Sequence, residues 1–278
     1  MKRNKNAFLL ALPTVLALLV FFILPMAYIL AKTLLTDGIS DFAAFFHDPF
    51  YLNILWTTVR VSLISTFISL ILGYPTAYFM ARTQSRMKKI MMIIILFPFL
   101  VSAVVRSYGW MVILGTNGLL NQLLQALGII SKPLKILNTE TAVIIGMIHL
   151  LIPYMVLSLV GVLQSIDPNV EYAAYSLGAS PAKTFAKIIF PLSLPGILSG
   201  CVLVFTMSMT SYVTPKLLGG SKFRMMATMV VQEINVNFDW GAASAISYIL
   251  LAVILAVQAA VVLATSGYMK RMGGGKNA

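Results

Sequence analysis

The sequence predicts an all-α membrane protein with six transmembrane helices and both termini in the cytoplasm. Of its 278 residues, 59% are hydrophobic and 10% are charged, whereas a soluble domain carries about a quarter of charged residues. Six stretches also reach the roughly 20 apolar residues that cross the hydrocarbon core of a bilayer. These spans lie at about 7–31, 58–81, 90–114, 141–163, 192–213 and 242–268 of a single transmembrane domain, 1–278.

The first span follows a positively charged start, with Lys2, Arg3 and Lys5 just before the apolar residues. That order is typical of a signal peptide, but the apolar stretch is longer than the roughly 7 to 15 residues of a signal core. No small-residue cleavage site ends it, because Lys32 follows Ala31 directly. We therefore expect an uncleaved first span.

Prolines lie inside or near the ends of most spans. Proline is tolerated within a membrane helix when neighbouring helices or hydroxyl groups satisfy the freed carbonyls. We therefore expect a packed bundle rather than separate helices. The prolines concerned are Pro13, Pro25, Pro75, Pro98, Pro153 and Pro195.

The basic residues are distributed unevenly between the two sides of the membrane, and cytoplasmic loops carry the excess of lysine and arginine. Twelve of the 20 lie in the two tails and in the second and fourth gaps between spans: Lys2, Arg3, Lys5, Arg82, Arg86, Lys88, Lys89, Lys183, Lys187, Lys270, Arg271 and Lys276. Six lie on the other side: Lys32, Lys132, Lys135, Lys216, Lys222 and Arg224. Both termini and the segment 164–191 are therefore expected in the cytoplasm.

Several classes of function are excluded by the residues present. One cysteine, Cys201, permits neither an internal disulfide nor a paired-cysteine metal site. The basic residues flank apolar stretches rather than forming a stripe with aromatic residues, which argues against nucleic-acid binding. The two histidines, His47 and His149, stand apart, and no acid lies inside a predicted span. We therefore expect no catalytic residue, no metal site and no cofactor. Because the chain has no glycine-rich phosphate loop, any ATP must be hydrolysed by another chain.

Two loops on the outer side have features of their own. The segment Gly118–Gly128 is amphipathic with a glycine at each end, which predicts a short helix at the outer interface. The loop 214–241 carries a basic patch at Lys222 and Arg224. That pattern indicates either a docking surface for an extracytoplasmic partner or a solvated loop with an interfacial tryptophan, Trp240.

The cytoplasmic segment 164–191 carries two helix-start signals. Asp167 precedes a proline, and Glu171 follows in the first helical turn, where the helix dipole favours an acid. Gly178 predicts the helix end. Ser180 also precedes a proline and predicts a second short helix, ending at Pro191. We expect a mechanical coupling element whose small alanines fit a partner's groove, or else an amphipathic connector on the bilayer surface.

The same segment resembles the EAA loop of ABC-importer permeases. The positions that match the family pattern are Glu171, Ala173, Ala174, Gly178, Ile188 and Pro191. The departures are Tyr172, which separates the glutamate from the alanines, and Phe190, where leucine is common. The resemblance implies a type I ABC-importer permease fold in the bacterial cytoplasmic (inner) membrane. It also implies that a cytoplasmic coupling helix docks in a cleft of an ATPase, with Glu171 and Gly178 as its central positions.

Three further segments resemble the spermidine/putrescine permease subfamily. They are Arg106–Trp110, Asn117–Asn121 and Ser211–Gly220, the last from Ser-Tyr-Val-Thr-Pro to Leu-Gly-Gly. The resemblance implies a polyamine cargo, two ATPase subunits, a second permease subunit that is a different chain, and an extracytoplasmic substrate-binding protein. The lipid bilayer surrounds the assembly.

Polar residues at membrane depth are candidates for the translocation path, since charges there are costly and generally functional. For Arg60, snorkelling to the headgroups is the simpler interpretation, and for His149 a satisfied position within the bundle. For Arg106 the alternative is pairing between helices, and for the hydroxyl groups it is hydrogen bonding between helices. The candidates are Arg106, Tyr108 and Trp110 in the third span, and Thr206, Ser208, Thr210 and Tyr212 in the fifth.

The sequence does not decide which solute is transported. A polyamine is a cation, yet the deep charges are arginines, so the cation would pass along aromatic ring faces and hydroxyl groups. An aminophosphonate or an opine is the alternative cargo within the same architecture. An ion-coupled secondary transporter is the alternative class, and it predicts inverted repeats and midplane acids, which we do not find in the sequence.

Overall fold

The computed structural model describes residues 12–36 and 40–273, and these residues form helices and connecting segments without a β-strand. The expectations for Lys2, Arg3, Lys5 and Lys276 lie outside the described residues. The helices are α1 (Leu12–Leu35), α2 (Ser40–His47), α3 (Pro49–Arg82), α4 (Met87–Leu100), α5 (Ala103–Leu114), α6 (Leu119–Ala126), α7 (Glu140–Ser165), α8 (Asn169–Ser176), α9 (Pro181–Met209), α10 (Val213–Leu218), α11 (Met226–Gln232) and α12 (Trp240–Gly273).

Helix α7 lies at the centre of the bundle and packs against both α3 and α9. Its side chains Met147, Leu151, Met155, Leu159 and Leu163 are fully buried. They recur every four residues, so one stripe of the helix faces its neighbours. This stripe forms the main hydrophobic core and fixes the positions of the ends of α3 and α7.

A second core cluster joins α12 to α2 and α11, with Phe45, Met229 and Ile246 among its buried residues. Helix α1 lies at the edge of this cluster. It contacts α12 through a hydrogen bond that the Tyr248 hydroxyl donates to the Met26 carbonyl at 2.5 Å, while Phe21 is 82% exposed. The first span therefore presents most of its surface to lipid or to another chain.

The third predicted span, 90–114, is divided between two helices, α4 and α5, rather than forming one continuous helix. The chain bends by 100° between α4 and the helical segment that follows it. Val101 has extended backbone angles, and the Ser102 hydroxyl accepts a hydrogen bond from the Val104 N–H at 3.2 Å. Pro98 in the last turn of α4 supplies no N–H to its helix. Pro98 and Ser102 therefore divide a mainly apolar segment into two helices.

Within residues 12–36 and 40–273, five helices are long and apolar enough to span a membrane, and the bent pair α4 and α5 raises the number to six if it forms one span. These five are Leu12–Leu35, Pro49–Arg82, Glu140–Ser165, Pro181–Met209 and Trp240–Thr265.

The second helix of the cytoplasmic segment differs from the prediction. It does not end at Pro191 but continues as α9 to Met209. A π-helical turn at Phe185–Ile189 immediately precedes the proline. Such a wider turn relieves the clash between a proline ring and the preceding turn. The cytoplasmic segment therefore runs without interruption into the fifth span.

Candidate coupling site and translocation path

Helix α8 is defined at both ends by the residues that predict it. The Asp167 carboxylate accepts a hydrogen bond from the Asn169 N–H at 2.9 Å. At the other end, Gly178 has a φ of +80°. Its N–H donates to the Tyr175 carbonyl at 2.9 Å, and the Ala179 N–H donates to the Ala174 carbonyl at 3.0 Å. This pair of bonds is the Schellman ending, which requires a left-handed residue.

The turn after Gly178 leads directly into α9. The Lys183 N–H donates to the Ser180 hydroxyl at 3.4 Å, and Pro181 occupies the first turn. The predicted capping residues are therefore present at both helix starts. Because both caps and the glycine turn are fixed, α8 has a defined position relative to the helix that enters the membrane.

The carboxylate of Glu171 faces the bundle and is 10% exposed. Arg82 Nε donates to its Oε1 at 2.6 Å, and the Tyr78 hydroxyl donates to its Oε2 at 2.8 Å. Both oxygens are therefore bonded to side chains of α3. The sequence alone does not indicate this arrangement, since Arg82 fits the excess of basic residues in cytoplasmic gaps and Tyr78 has no local signal. Their spacing of four residues places both on one helical face.

The two alanines of the loop differ in exposure, whereas the sequence pattern predicts that both fit a partner's groove. Ala174 is buried and lies three residues after Glu171, on the face toward the bundle, whereas Ala173 is exposed. The exposed residues of α8 and its C-terminal cap are instead mainly apolar or aromatic, with the polar Asn169 and Ser176 among them. We call the apolar and aromatic members the docking face, and it consists of Val170, Tyr172, Ala173, Tyr175 and Leu177.

Aromatic side chains pack the start of α9 against α3, next to the coupling site. The Phe185 ring meets the Tyr74 ring at 5.4 Å and the Tyr78 ring at 6.2 Å, both edge-to-face. The Tyr74 hydroxyl lies 2.8 Å from the Ser193 hydroxyl of α9. Of the remaining loop candidates, Ile188 and Pro191 are half-buried in the same helix.

In the third span, Arg106 and Trp110 lie on α5 beside α7. The Trp110 ring meets the His149 ring edge-to-face at 5.6 Å. Arg106 Nε is buried and has no hydrogen-bond partner among residues 12–36 and 40–273. Tyr108 is 54% exposed on another face of α5. The structure thus brings together an arginine, a tryptophan and a histidine from the two helices.

The hydroxyl groups of the fifth span contact a different helix. Thr206 Oγ1 accepts a hydrogen bond from Gln258 Nε2 of α12 at 2.8 Å. Ser208 is buried, and its hydroxyl has no hydrogen-bond partner in the described part of the chain. Helix α9 ends at Met209, so Thr210 and Tyr212 lie in the connection to α10 rather than in the predicted span. The two candidate groups therefore lie on different elements, one on α5 and the other on the end of α9 and the connection that follows it.

At the opposite end of α3, Arg60 forms an ion pair with Glu140, the first residue of α7. The pair borders a cavity of about 550 Å³ that is also lined by Lys222 and Arg224. The Arg224 guanidinium lies 5.6 Å from the centre of the Phe50 ring. Arg60 thus has an acidic partner within the chain. In residues 12–36 and 40–273, no three histidine, cysteine, aspartate or glutamate side chains come together as a metal site requires.

The fold and the cytoplasmic helix define a membrane permease of a transport system. Residues 66–267 match the model of the family described as binding-protein-dependent transport system inner membrane component. The chain belongs to this family, and it is a component of the inner membrane and a permease rather than a catalyst.

Two curated relatives extend the match beyond the family. The chain is 36% identical to the spermidine/putrescine transport system permease protein PotB of Haemophilus influenzae, over 82% of this chain and 84% of the relative. It is 35% identical to PotB of Escherichia coli K12, over 83% and 88%. A crystal structure of a bacterial ABC transporter that imports alginate has the same fold, with a TM-score of 0.75, 17% identity and coverage of 97% and 96%.

Proposed function

We propose that this chain is a permease subunit of an ATP-driven importer of polyamines. The assignment of a polyamine cargo rests on the 35–36% identity to two spermidine/putrescine permeases over more than four-fifths of the chain. Both termini and the coupling segment lie on the cytoplasmic side in this proposal. The working assembly contains two ATPase subunits, a second permease subunit that is a different chain, and an extracytoplasmic binding protein.

Coupling to ATP hydrolysis is assigned to the EAA loop, in which α8 docks in a cleft of an ATPase subunit. Glu171 and Ala174 hold α8 on the bundle, and Gly178 sets its angle to α9. Ala173 belongs to the docking face, while Ile188 and Pro191 carry the motion into the fifth span. The support is that the docking face exposes large apolar side chains, with Leu177 88% exposed. Exposed apolar surface of this kind is typical of an interaction site.

The translocation path is assigned to Arg106, Tyr108 and Trp110, together with Thr206, Ser208, Thr210 and Tyr212. Aromatic ring faces attract a polyamine without a fixed negative charge, and Tyr108 and Trp110 supply such faces. Acidic side chains come from the binding protein or the second permease subunit. Arg106 is the observation that favours the alternative cargo, an aminophosphonate or an opine, because a guanidinium binds anionic groups in preference to cations.

The cargo is tested by reconstituting the chain with the second permease subunit, the ATPase subunits and the binding protein in proteoliposomes. We expect ATP-dependent uptake of labelled spermidine or putrescine, and competition by either unlabelled polyamine. Uptake of an aminophosphonate or opine instead would overturn the polyamine assignment. Uptake driven by an ion gradient without ATP would overturn the transporter class.

The docking face is tested with Leu177→Glu, measured by co-purification of the ATPase subunits. We expect this substitution to abolish co-purification, because it places a charge within an apolar contact. Leu127→Glu is the matched control, since Leu127 is the exposed C-terminal cap of α6 and also precedes a left-handed glycine. Full recovery of ATPase subunits with the Leu177 variant would contradict docking at this face.

A further inference from the structure

We propose that Arg82, assisted by Tyr78, is a positioning residue that couples the docking helix α8 to α3 and α7 through Glu171. The inference rests on the proposed docking of α8 on an ATPase. It changes the assignment of Glu171, whose carboxylate acts within this chain rather than on the ATPase surface.

Arg82 joins three parts of the chain that are far apart in sequence. It is the last residue of α3, and its Nε bonds to Glu171 of α8. Its Nη1 donates to the Leu163 carbonyl at 3.1 Å and to the Ile166 carbonyl at 3.0 Å, both at the end of α7. The last carbonyls of a helix have no intrahelical donor. A single guanidinium therefore satisfies the end of α7 and holds α8.

Tyr78 completes the contact one helical turn before Arg82. Its hydroxyl donates to the second oxygen of the Glu171 carboxylate, and the Arg82 guanidinium carbon lies 6.0 Å from its ring centre. Both carboxylate oxygens are therefore held by α3. With its side chain 10% exposed, Glu171 offers little surface to an ATPase in this conformation, whereas Tyr172 and Leu177 next to it are open.

The geometry explains why the residue is an arginine. The guanidinium is a planar fork with several donors, so it reaches a carboxylate and two carbonyls at once. A lysine at the same position has one compact ammonium group and cannot form the same three contacts. A movement of α8 is then transmitted through Arg82 to the ends of α3 and α7. It is also transmitted along the backbone through Gly178 into α9.

The test uses the complete transporter in proteoliposomes and measures cargo uptake per ATP hydrolysed, together with co-purification of the ATPase subunits. We expect Arg82→Gln to retain the ATPase subunits but to lower uptake per ATP by about tenfold, within the range typical of coupling between sites. Arg82→Lys restores part of the loss, because it keeps the charge on Glu171. Tyr78→Phe removes one hydrogen bond and lowers uptake per ATP by about threefold.

The matched control is Arg60→Gln, which breaks the pair that Arg60 of α3 forms with Glu140 of α7. Because that pair is exposed, uptake per ATP changes by less than about twofold. An Arg82→Gln variant with the uptake per ATP of the wild type would overturn the proposal. A loss as large in Arg60→Gln as in Arg82→Gln would also overturn it, since it would show a general loss of stability.

A second variant decides the question if Arg82→Gln fails to accumulate in the membrane. The double variant Arg82→Gln/Glu171→Gln leaves no unpaired buried charge, so we expect normal accumulation with uptake per ATP still about tenfold low. Wild-type uptake per ATP in this variant would refute the positioning role. Failure of the wild-type assembly to import polyamine with ATP would instead refute the proposed function, so the two failures are distinguishable.

Discussion

Two arginine–glutamate pairs in the described part of the chain lie toward opposite ends of α3 and differ in their surroundings. At the outer end, Arg60 and Glu140 have side chains that are 43% and 30% exposed. At the cytoplasmic end, Arg82 and Glu171 are 17% and 10% exposed, and the arginine also bonds two backbone carbonyls. The same chemical pair is thus a surface contact at one end and part of a buried network at the other.

The difference shows how exposure to solvent determines the energetic contribution of an ion pair. An exposed pair contributes about 0 to 1 kcal/mol, because solvent screens the charges. A buried pair is a weak source of net stability, yet removal of one partner is costly because the other charge stays buried. The outer pair therefore tolerates change, whereas the inner pair enforces one arrangement of α3, α7 and α8.

The largest expected effect comes from Glu171→Gln, which leaves the Arg82 charge without its carboxylate. We expect a loss of about 3 kcal/mol in the free energy of unfolding, measured by SDS titration in mixed micelles. Glu140→Gln is the matched control on the outer pair. Equal losses in the two variants would contradict the contrast between the ends.

A smaller effect is expected for Gly178→Ala at the end of α8. A Cβ at this position meets no atom within 4 Å, but the φ of +80° is unfavourable for alanine, at a cost of about 1 kcal/mol. We expect the strain to turn α8 and to lower uptake per ATP in proteoliposomes.

Gly128→Ala provides the comparison for that variant, since Gly128 ends the outer helix α6 with a φ of +70° and open space around it. The backbone cost is the same, but uptake per ATP is expected to stay at the wild-type value. A loss of coupling in both variants would show that backbone strain alone, at either end, impairs transport.

The smallest effect is expected for Glu140→Gln alone. Its carboxylate pairs with Arg60 at a solvated site, so the loss in the free energy of unfolding is about 0.5 kcal/mol and shrinks further at high salt. The same SDS titration at low and high salt checks this. A loss above about 2 kcal/mol would place the outer pair in the same class as the inner one.

Local signals in the sequence predicted the capping residues of the cytoplasmic segment, the glycine turn and most of the membrane helices. Asp167, Gly178 and Ser180 act through bonds to residues a few positions away, so their effect is visible in a short window. The Arg82–Glu171 contact joins residues separated by 89 positions, and only packing of α3 beside α7 brings them together.

The break between α4 and α5 was missed for a different reason. Hydropathy measures the solvent preference of side chains and carries no information on backbone direction. It therefore predicts an apolar segment at 90–114 but not the bend within it. Pro98 and Ser102 are the local signals that indicate a break. They were outweighed by the apolar residues on both sides.

The π-helical turn at Phe185–Ile189 has a consequence for the evolution of this segment. An α-helix rotates by about 100° with each residue, since a turn takes 3.6 residues. One residue more or less between Ser180 and Pro191 therefore changes the direction in which α8 projects, while leaving the span and its hydrophobicity intact. A single-codon deletion in this turn would reorient α8 around the bundle, so the length of this short segment matters as much as the identity of its residues.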